Sequence, residues 1–246
     1  MKKIAMIPAR YAATRFPAKL MQRLGNKTVI RHTYDNTVAT GLFCEVVVVT
    51  DSDIIFNEIV NNGGKAVKSK REHESGSDRI AEAVADMDVD IVVNVQGDEP
   101  FVQREPLEKL LNCFEEEAGK GVQVASLMQV LKDQDSINDS NYVKVAVDKN
   151  MNALFFSRSV IPYNRDKKAS PVYYEHIGVY AFRKKALLDF TSWEITPLEA
   201  AEKIECLRYL ENGIALKMVL TEYMGVEIDT PEDLARATVL LGADGL

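Results

Sequence analysis

Two features of the sequence predict an α/β fold built on a Rossmann-like, mostly parallel sheet flanked by helices, and a third adds a smaller antiparallel lobe. Runs of Val and Ile such as Val46–Val49 and Ile91–Val93 lack polar alternation, the pattern of strands covered on both faces. These runs alternate with helical segments, and strand–helix–strand rhythm calls for crossover connections in a parallel layer. In the second half the pattern changes to strands joined by a tight turn, which marks antiparallel pairing. The lobes interleave along the chain. The expected organisation is therefore one domain, 1–246, with an inserted lobe at about 140–200.

The elements follow in order. KIAMIPA (3–9) reads as a buried strand and RYAATRFPAK (10–19) as a loop. TVIRHTYDNTVAT (28–40) reads as a helix with Gly41 just past its end. EVVVVTD (45–51) is a second strand, SDIIFNEIVNN (52–62) a helix stopped by Gly63-Gly64, and KAVKS (65–69) a short strand. SDRIAEAVADM (77–87) is a helix with Ser77 as its N-cap, and DIVVNVQ (90–96) is the next strand. YVKVAVDKNMNALFFSR (142–158) reads as a hairpin around Asp148-Lys149-Asn150, and EHIGVYAFR (175–183) as a further strand. PLEAAEKIECLRYLENG (197–213) reads as one helical region ending at Gly213, and IALKMVL (214–220) as a strand. TPEDLARATVLL (230–241) is a final helix with Pro231 in its first turn.

Composition narrows the function classes. The chain is 46% hydrophobic and 27% charged, ordinary for a soluble globular protein. No apolar run is long enough to cross a bilayer, and the N-terminal segment turns polar too early for a signal peptide. Cys44, Cys113 and Cys206 have no paired spacing, so neither a disulfide framework nor a zinc site is indicated. A cytoplasmic location is expected. The net charge of −7 excludes nucleic-acid binding by bulk charge. Yet no acid precedes Asp35, whereas Lys2, Lys3, Arg10, Arg15, Lys19, Arg23, Lys27 and Arg31 do. Cations concentrated in one segment of an acidic protein suit either a solvated basic face or an anionic small molecule held there.

The chemistry-bearing positions lie where strands end. The first strand is followed neither by GxGxxG nor by GxxxxGK[ST], which leaves dinucleotide fingerprint and P-loop unsupported. Instead Arg10, Arg15 and Lys19 occupy the loop after it, where spaced cations can wrap a triphosphate and follow charge onto a leaving pyrophosphate. KREHESGSDR (70–79) brings small residues, hydroxyls and Arg before a helix, either as a plain cap or with backbone N–H groups turned to a nucleobase or phosphate. VVNVQGDEP (92–100) is an apolar run ending in Asp98 and Glu99, either a turn or an acidic sheet edge where ligands bind. Asp229, in GVEIDTPEDL, is either the cap of the last helix or a partner for Asp98. Two such carboxylates suit Mg²⁺, which binds one or two carboxylates together with substrate phosphates.

IPARYAATRFPAK, HESGSDR, VNVQGDEP, FFSRSVIPY, HIGVYAFR, PLE…IECLR and GVEIDTPEDL occur in this order, and together they span nearly the whole chain. The set resembles the 3-deoxy-manno-octulosonate cytidylyltransferases, or CMP-Kdo synthetases. The resemblance implies a nucleotide-diphospho-sugar transferase-like fold and a cytoplasmic, homodimeric, Mg²⁺-dependent enzyme, with the inserted lobe serving sugar binding and dimerisation. Such an enzyme joins CTP to 3-deoxy-D-manno-octulosonate (Kdo), releases pyrophosphate and serves lipopolysaccharide synthesis, with neither nucleic acid nor membrane as partner. It implies catalytic roles for Arg10, Lys19, Asp98 and Asp229, the two acids as metal ligands. Pro8, Ala9, Arg10, Lys19, Ser75, Gly76 and Arg79 fall at the nucleotide. Arg15, Gln96, Arg158, His176, Tyr180 and Glu205 fall at the sugar acid. Two departures from the pattern stand out, one in the loop and one at Cys206. Ala18 and Met21 replace residues that are often glycine and leucine, and Cys206 replaces a sugar-contacting Gln. The second departure leaves open another sugar acid, of the amino-Kdo or sialic-acid type.

Overall fold

The structure is a computed structural model describing residues 1–12, 16–73, 75–115, 121–222 and 226–243. The chain groups into two compact units, Met1–Leu107 with Met224–Leu246, and Glu108–Tyr223. The second unit thus begins before and ends after the 140–200 segment.

In the first unit, β1 (Lys3–Ala9) is followed by a single 3-10 turn at Lys19–Met21 and a miniature antiparallel pair, β2 (Arg23–Leu24) and β3 (Lys27–Thr28). Then come α1 (Val29–Ala39), β4 (Glu45–Thr50), α2 (Asp53–Asn61), β5 (Ala66–Lys68), α3 (Gly76–Val84) and β6 (Ile91–Asn94). β1 pairs in parallel with β4 on one side and β6 on the other, and β4 pairs in parallel with β5. The Val and Ile side chains of β1, β4 and β6 are almost wholly buried, as the unalternating runs require, whereas Val67 of β5, the last strand of the order, is exposed.

The order is decisive for function. From β1 the chain builds outward through β4 to β5, then returns to the other side of β1 for β6. In an open α/β sheet the crevice at such a reversal, beyond the strands' carboxyl ends, is where ligands bind. The loops after β1 and β6 both open there.

The helices start where local chemistry puts them. Thr28 caps α1 and Ser52 caps α2, each side-chain oxygen accepting from the backbone N–H three residues on. For α3 the cap is Ser75, whose Oγ accepts from Asp78 N at 3.1 Å, and not Ser77. Ser77 is a buried first-turn residue. Of two serines two positions apart, the one with extended backbone (φ −124°) serves as cap.

α4 (Arg104–Asn112) carries the chain into the second unit. There β7 (Val124–Leu131), α5 (Gln134–Asn138), β8 (Lys144–Val147), β9 (Ala153–Ser157) and β10 (Tyr173–Arg183) follow. α6 (Lys184–Ser192), α7 (Pro197–Glu202), α8 (Leu207–Glu211) and β11 (Leu216–Leu220) complete it. β8 and β9 form the expected hairpin, β8 and β7 pair antiparallel with β10, and β11 runs parallel to β7. The region 197–213 is two helices rather than one. Lys203 ends α7 in the left-handed region (φ 55°). Just before it the Glu202 carboxylate accepts from Ser157 Oγ (2.7 Å) and Arg158 N (3.0 Å), and its carbonyl accepts from Arg158 Nε (2.8 Å). Tethering of Glu202 to the end of β9 stops the helix where propensity alone would continue it.

Returning to the first unit, α9 (Pro231–Ala243) closes the chain. Thr230 Oγ1 accepts from Asp233 N, and the Asp233 carboxylate accepts from Thr230 N, a reciprocal cap. Thr230 therefore does the capping, and the Asp229 carboxylate is left for other work. No helix among the described residues is long and apolar enough to cross a membrane.

Candidate active site

At the switch point of the first unit lies a cavity of about 220 Å³. Pro8, Ala9 and Arg10 enter from the end of β1, and Gln96, Gly97 and Asp98 from the end of β6. Lys19 and Leu20 from the 3-10 turn, and His73, Ser75, Gly76 and Arg79 at the start of α3, complete the wall.

Close backbone packing shapes this space. A Cβ on Gly97 would lie 3.1 Å from Pro8 O, 3.2 Å from Ile30 Cδ1 and 3.3 Å from Leu20 Cδ1. One on Gly76 would lie 3.1 Å from Pro8 Cγ. Hydrogen bonds hold the Gly97–Pro100 turn from α1, with Thr33 Oγ1 donating to Gly97 O (2.9 Å) and Asn36 Nδ2 to Pro100 O (2.5 Å). Asp98 O accepts from Ile228 N at 3.0 Å, which brings Asp229 alongside. The turn and the acidic edge, alternatives in the sequence, are one feature.

The N-terminal turn of α3 faces the cavity, so its backbone N–H groups and helix dipole favour a phosphate or a carbonyl there. Arg79 is buried and fixed by Asp51 Oδ2 (2.9 Å) and Ser69 Oγ (2.8 Å). His73 Nε2 lies 2.7 Å from Glu82 Oε2. Both side chains are held in place before any ligand arrives.

The acids gather at the same edge. Asp98, Glu227 and Asp229 each offer a carboxylate oxygen, all within 4.8 Å of one another. The Lys19 ammonium sits among them, hydrogen-bonded to Asp98 and to Asp229 Oδ1 (2.7 Å). Burial pulls the Lys19 pKa down, but attraction to Asp98 and hydrogen bonds to both acids outweigh it, and the net shift is upward. The half-buried Glu99 carboxyl is lifted well above the usual carboxylate range by desolvation first, then by repulsion from Glu227 and Asp98. Glu227 was not anticipated, because an exposed acid before a strand-like Ile gives no signal until Asp98 is brought to it. In the loop before Lys19, Ala18 adopts a left-handed conformation (φ 52°), which explains why glycine suits that position. Arg15 lies outside the described residues.

The remaining sugar-site residues named from the sequence belong to the second unit. Arg158 follows β9, held by three backbone carbonyls. His176 is half-buried in β10, its ring edge-on to Phe156 at 4.9 Å and 5.4 Å from Tyr180. Ser126 Oγ lies 3.0 Å from His176 Nε2 and 2.9 Å from both Ile177 O and Val179 O, at the bulge in β10. The hydroxyl has one proton, and carbonyls only accept, so His176 Nε2–H donates to Ser126 and Nδ1 is left as an acceptor. Desolvation pushes the His176 pKa down to about 3, so the ring is neutral. Tyr180 is buried with its phenol hydrogen-bonded to Cys206, and desolvation raises its pKa well above the usual range. Glu205 lies in the link between α7 and α8. Cys206 is 1% exposed at the N-cap position of α8, not midway along a helix.

Comparison with known proteins gives the chain its relatives. A family model described as cytidylyltransferase matches residues 4–220. The chain is 62% identical over 241 residues to the 3-deoxy-manno-octulosonate cytidylyltransferase of Flavobacterium johnsoniae, covering 98% of this chain and 99% of that one. It is 60% identical over 238 residues to the enzyme of the same name from Christiangramia forsetii, covering 97% and 96%. Among solved structures, a CMP:2-keto-3-deoxy-manno-octonic acid synthetase complexed with CTP superposes with a TM-score of 0.93 at 33% identity, over 99% of this chain and 100% of that one. The chain therefore belongs to the 3-deoxy-manno-octulosonate cytidylyltransferase family of nucleotidyltransferases.

Proposed function

We propose that the protein joins CTP to Kdo, giving CMP-Kdo and pyrophosphate, as a Mg²⁺-dependent step of lipopolysaccharide synthesis in the cytoplasm. The observation that carries this reading is the cavity at the switch point, where Arg10, Lys19, Arg79 and the α3 N-terminus converge on one space beside the acids. Kinship with the named relatives supports the choice of substrates, and a homodimeric state is part of the same proposal.

CTP occupies the first unit's cavity, with the α3 N-terminus and the backbone at Pro8 and Ala9 against the nucleoside and phosphates. Arg10 grips the triphosphate. Lys19, held charged by its carboxylates, stabilises the negative charge that grows on the departing pyrophosphate. Asp98 and Asp229, with Glu227 close by, are hard oxygen donors, and a cation already sits between them as the Lys19 ammonium. The set suits Mg²⁺, which when bound neutralises phosphate charge and lowers the pKa of the attacking hydroxyl. On the sugar side, Arg158 takes the carboxylate, and His176 Nδ1, Tyr180 and Glu205 meet hydroxyls, with Gln96 and Arg15 assisting. The anomeric hydroxyl then attacks the α-phosphorus in line and pyrophosphate leaves. Positioning and charge neutralisation do most of the work, as is general for phosphoryl-type transfers.

Pyrophosphate release from CTP and Mg²⁺ with a panel of Kdo, amino-Kdo and a sialic acid tests the reading. Kdo should give the highest kcat/KM. Preference for another acid reassigns the substrate, and release with none of them removes the function.

A further inference from the structure

One of the fully buried large side chains of the second unit is a lysine. Lys144 is 0% exposed, in the middle strand of three, with Ser157 of β9 on one side and Glu175 of β10 on the other. Withdrawing an ammonium from water is costly unless its N–H groups are hydrogen-bonded. Here Nζ donates to Asp139 O (2.8 Å) and Tyr142 O (2.6 Å), two carbonyls of the tight loop between α5 and β8. The loop is also braced by Asn141 N on Asp139 Oδ1 (2.8 Å). Between the two carbonyls held by Lys144 stands Ser140, whose own carbonyl accepts from Arg158 Nη1 at 2.9 Å.

Arg158 is thus positioned from two sides. Nε donates to Glu202 O (2.8 Å) and Nη2 reaches Lys203 O (3.5 Å) at the end of α7, while Nη1 is held only by Ser140 O among the described residues. Three of five guanidinium N–H groups are so engaged, and each terminal nitrogen keeps one for a ligand, as a two-pronged carboxylate grip requires. The α7 side is secured by the Glu202 carboxylate on Ser157 Oγ and Arg158 N. The Ser140 side is secured by Lys144.

We infer that Lys144 is a positioning residue for the sugar acid: its buried ammonium fixes the Asp139–Tyr142 loop, the Ser140 carbonyl fixes the Arg158 guanidinium, and the guanidinium receives the carboxylate. Being sealed from solvent, Lys144 touches no substrate itself and acts only through Arg158. An apolar side chain of equal length fills the same space but leaves two carbonyls unpaired and Ser140 unanchored. The inference rests on the proposed role of Arg158 at the sugar acid.

The test uses the full chain with CTP, Mg²⁺ and Kdo. Lys144→Met should raise the KM for Kdo about tenfold, a change of the size expected for losing one well-placed charge-assisted contact, with kcat and the KM for CTP within about twofold. Ser140→Gly, at an exposed position, loosens the loop while keeping the lysine, and should raise the Kdo KM about threefold even if Lys144→Met does not fold. In the Arg158→Ala background neither substitution should raise the Kdo KM further, because the group they position is gone. Additive effects in that background, or an unchanged Kdo KM in folded Lys144→Met and in Ser140→Gly, overturn the inference. If Arg158→Ala alone leaves the Kdo KM unchanged, the role of Arg158 is what fails, and the inference falls with it.

Discussion

The Lys19 ammonium lies 2.7 Å from Asp229 Oδ1, although 210 positions separate them in the chain. The same ammonium is bonded to Asp98, so one cation links the loop after β1, the loop after β6 and the start of α9. On the proposed reading, a lysine that neutralises two acids before substrate arrives exchanges them for phosphate when CTP and Mg²⁺ bind. Lys19→Met should therefore reduce kcat by about 10²–10³-fold while changing the KM for CTP only slightly, since the lost term belongs to the transition state. Steady-state kinetics separate the two. An unchanged kcat would leave Lys19 as a structural clamp.

If the proposed Mg²⁺ site is right, Asp98→Asn and Asp229→Asn should each lower turnover at least about 10²-fold with the fold intact, because charge at that site is removed without loss of volume. Excess chelator should abolish wild-type activity and Mg²⁺ restore it. The Asn variants should need more Mg²⁺ for half-maximal rate. A wild-type enzyme indifferent to chelator would remove metal from the reading.

The Cys206 thiol is buried against Tyr180, so this site is filled rather than open. Inserting the longer Gln overpacks it, and Cys206→Gln should cost about 1–3 kcal/mol of stability in denaturant unfolding. Cys206→Ala should cost about 1–2 kcal/mol through the cavity and the lost contact with the tyrosine hydroxyl. Improved Kdo use in Cys206→Gln at undiminished stability would show instead that the side chain reaches the sugar.

His176 gives a pH dependence whose sign is determined. Its folded-state pKa is depressed to about 3 from the ordinary 6.5, so below pH 6.5 the unfolded chain binds a proton that the folded protein refuses. That refusal makes stability fall as pH drops from 6.5 toward 3, by about 1.4 kcal/mol per pH unit once well below 6.5. Relative to His176→Gln, the wild type should lose roughly 2 kcal/mol more between pH 7 and pH 5. Parallel stability profiles for the two proteins would show that the ring is not held neutral.

Much of the architecture was legible in the sequence because it follows from short-range patterning. Unalternating Val and Ile runs require strands covered on both faces, and the helices between them make the sheet parallel. The Asp148–Asn150 turn declares its hairpin, and the apolar run that stops at Asp98 marks a sheet edge. Motif order was enough to name Arg10, Lys19, Asp98 and Asp229 together.

What only the tertiary structure decided involves choices between near-equal local options or partners far apart in the chain. Ser75 and Ser77 are both good caps, and the packing that sets the backbone at Ser75 chose the first. Residues 197–213 have continuous helical propensity, and it is the grip of Ser157 and Arg158 on Glu202 that breaks them into two helices. Glu227 joins the acids because Ile228 N is bonded to Asp98 O, and Lys144 reads as a strand lysine until two loop carbonyls close around it. Burial and long-range hydrogen bonding depend on which segments meet, and local pattern carries no record of that.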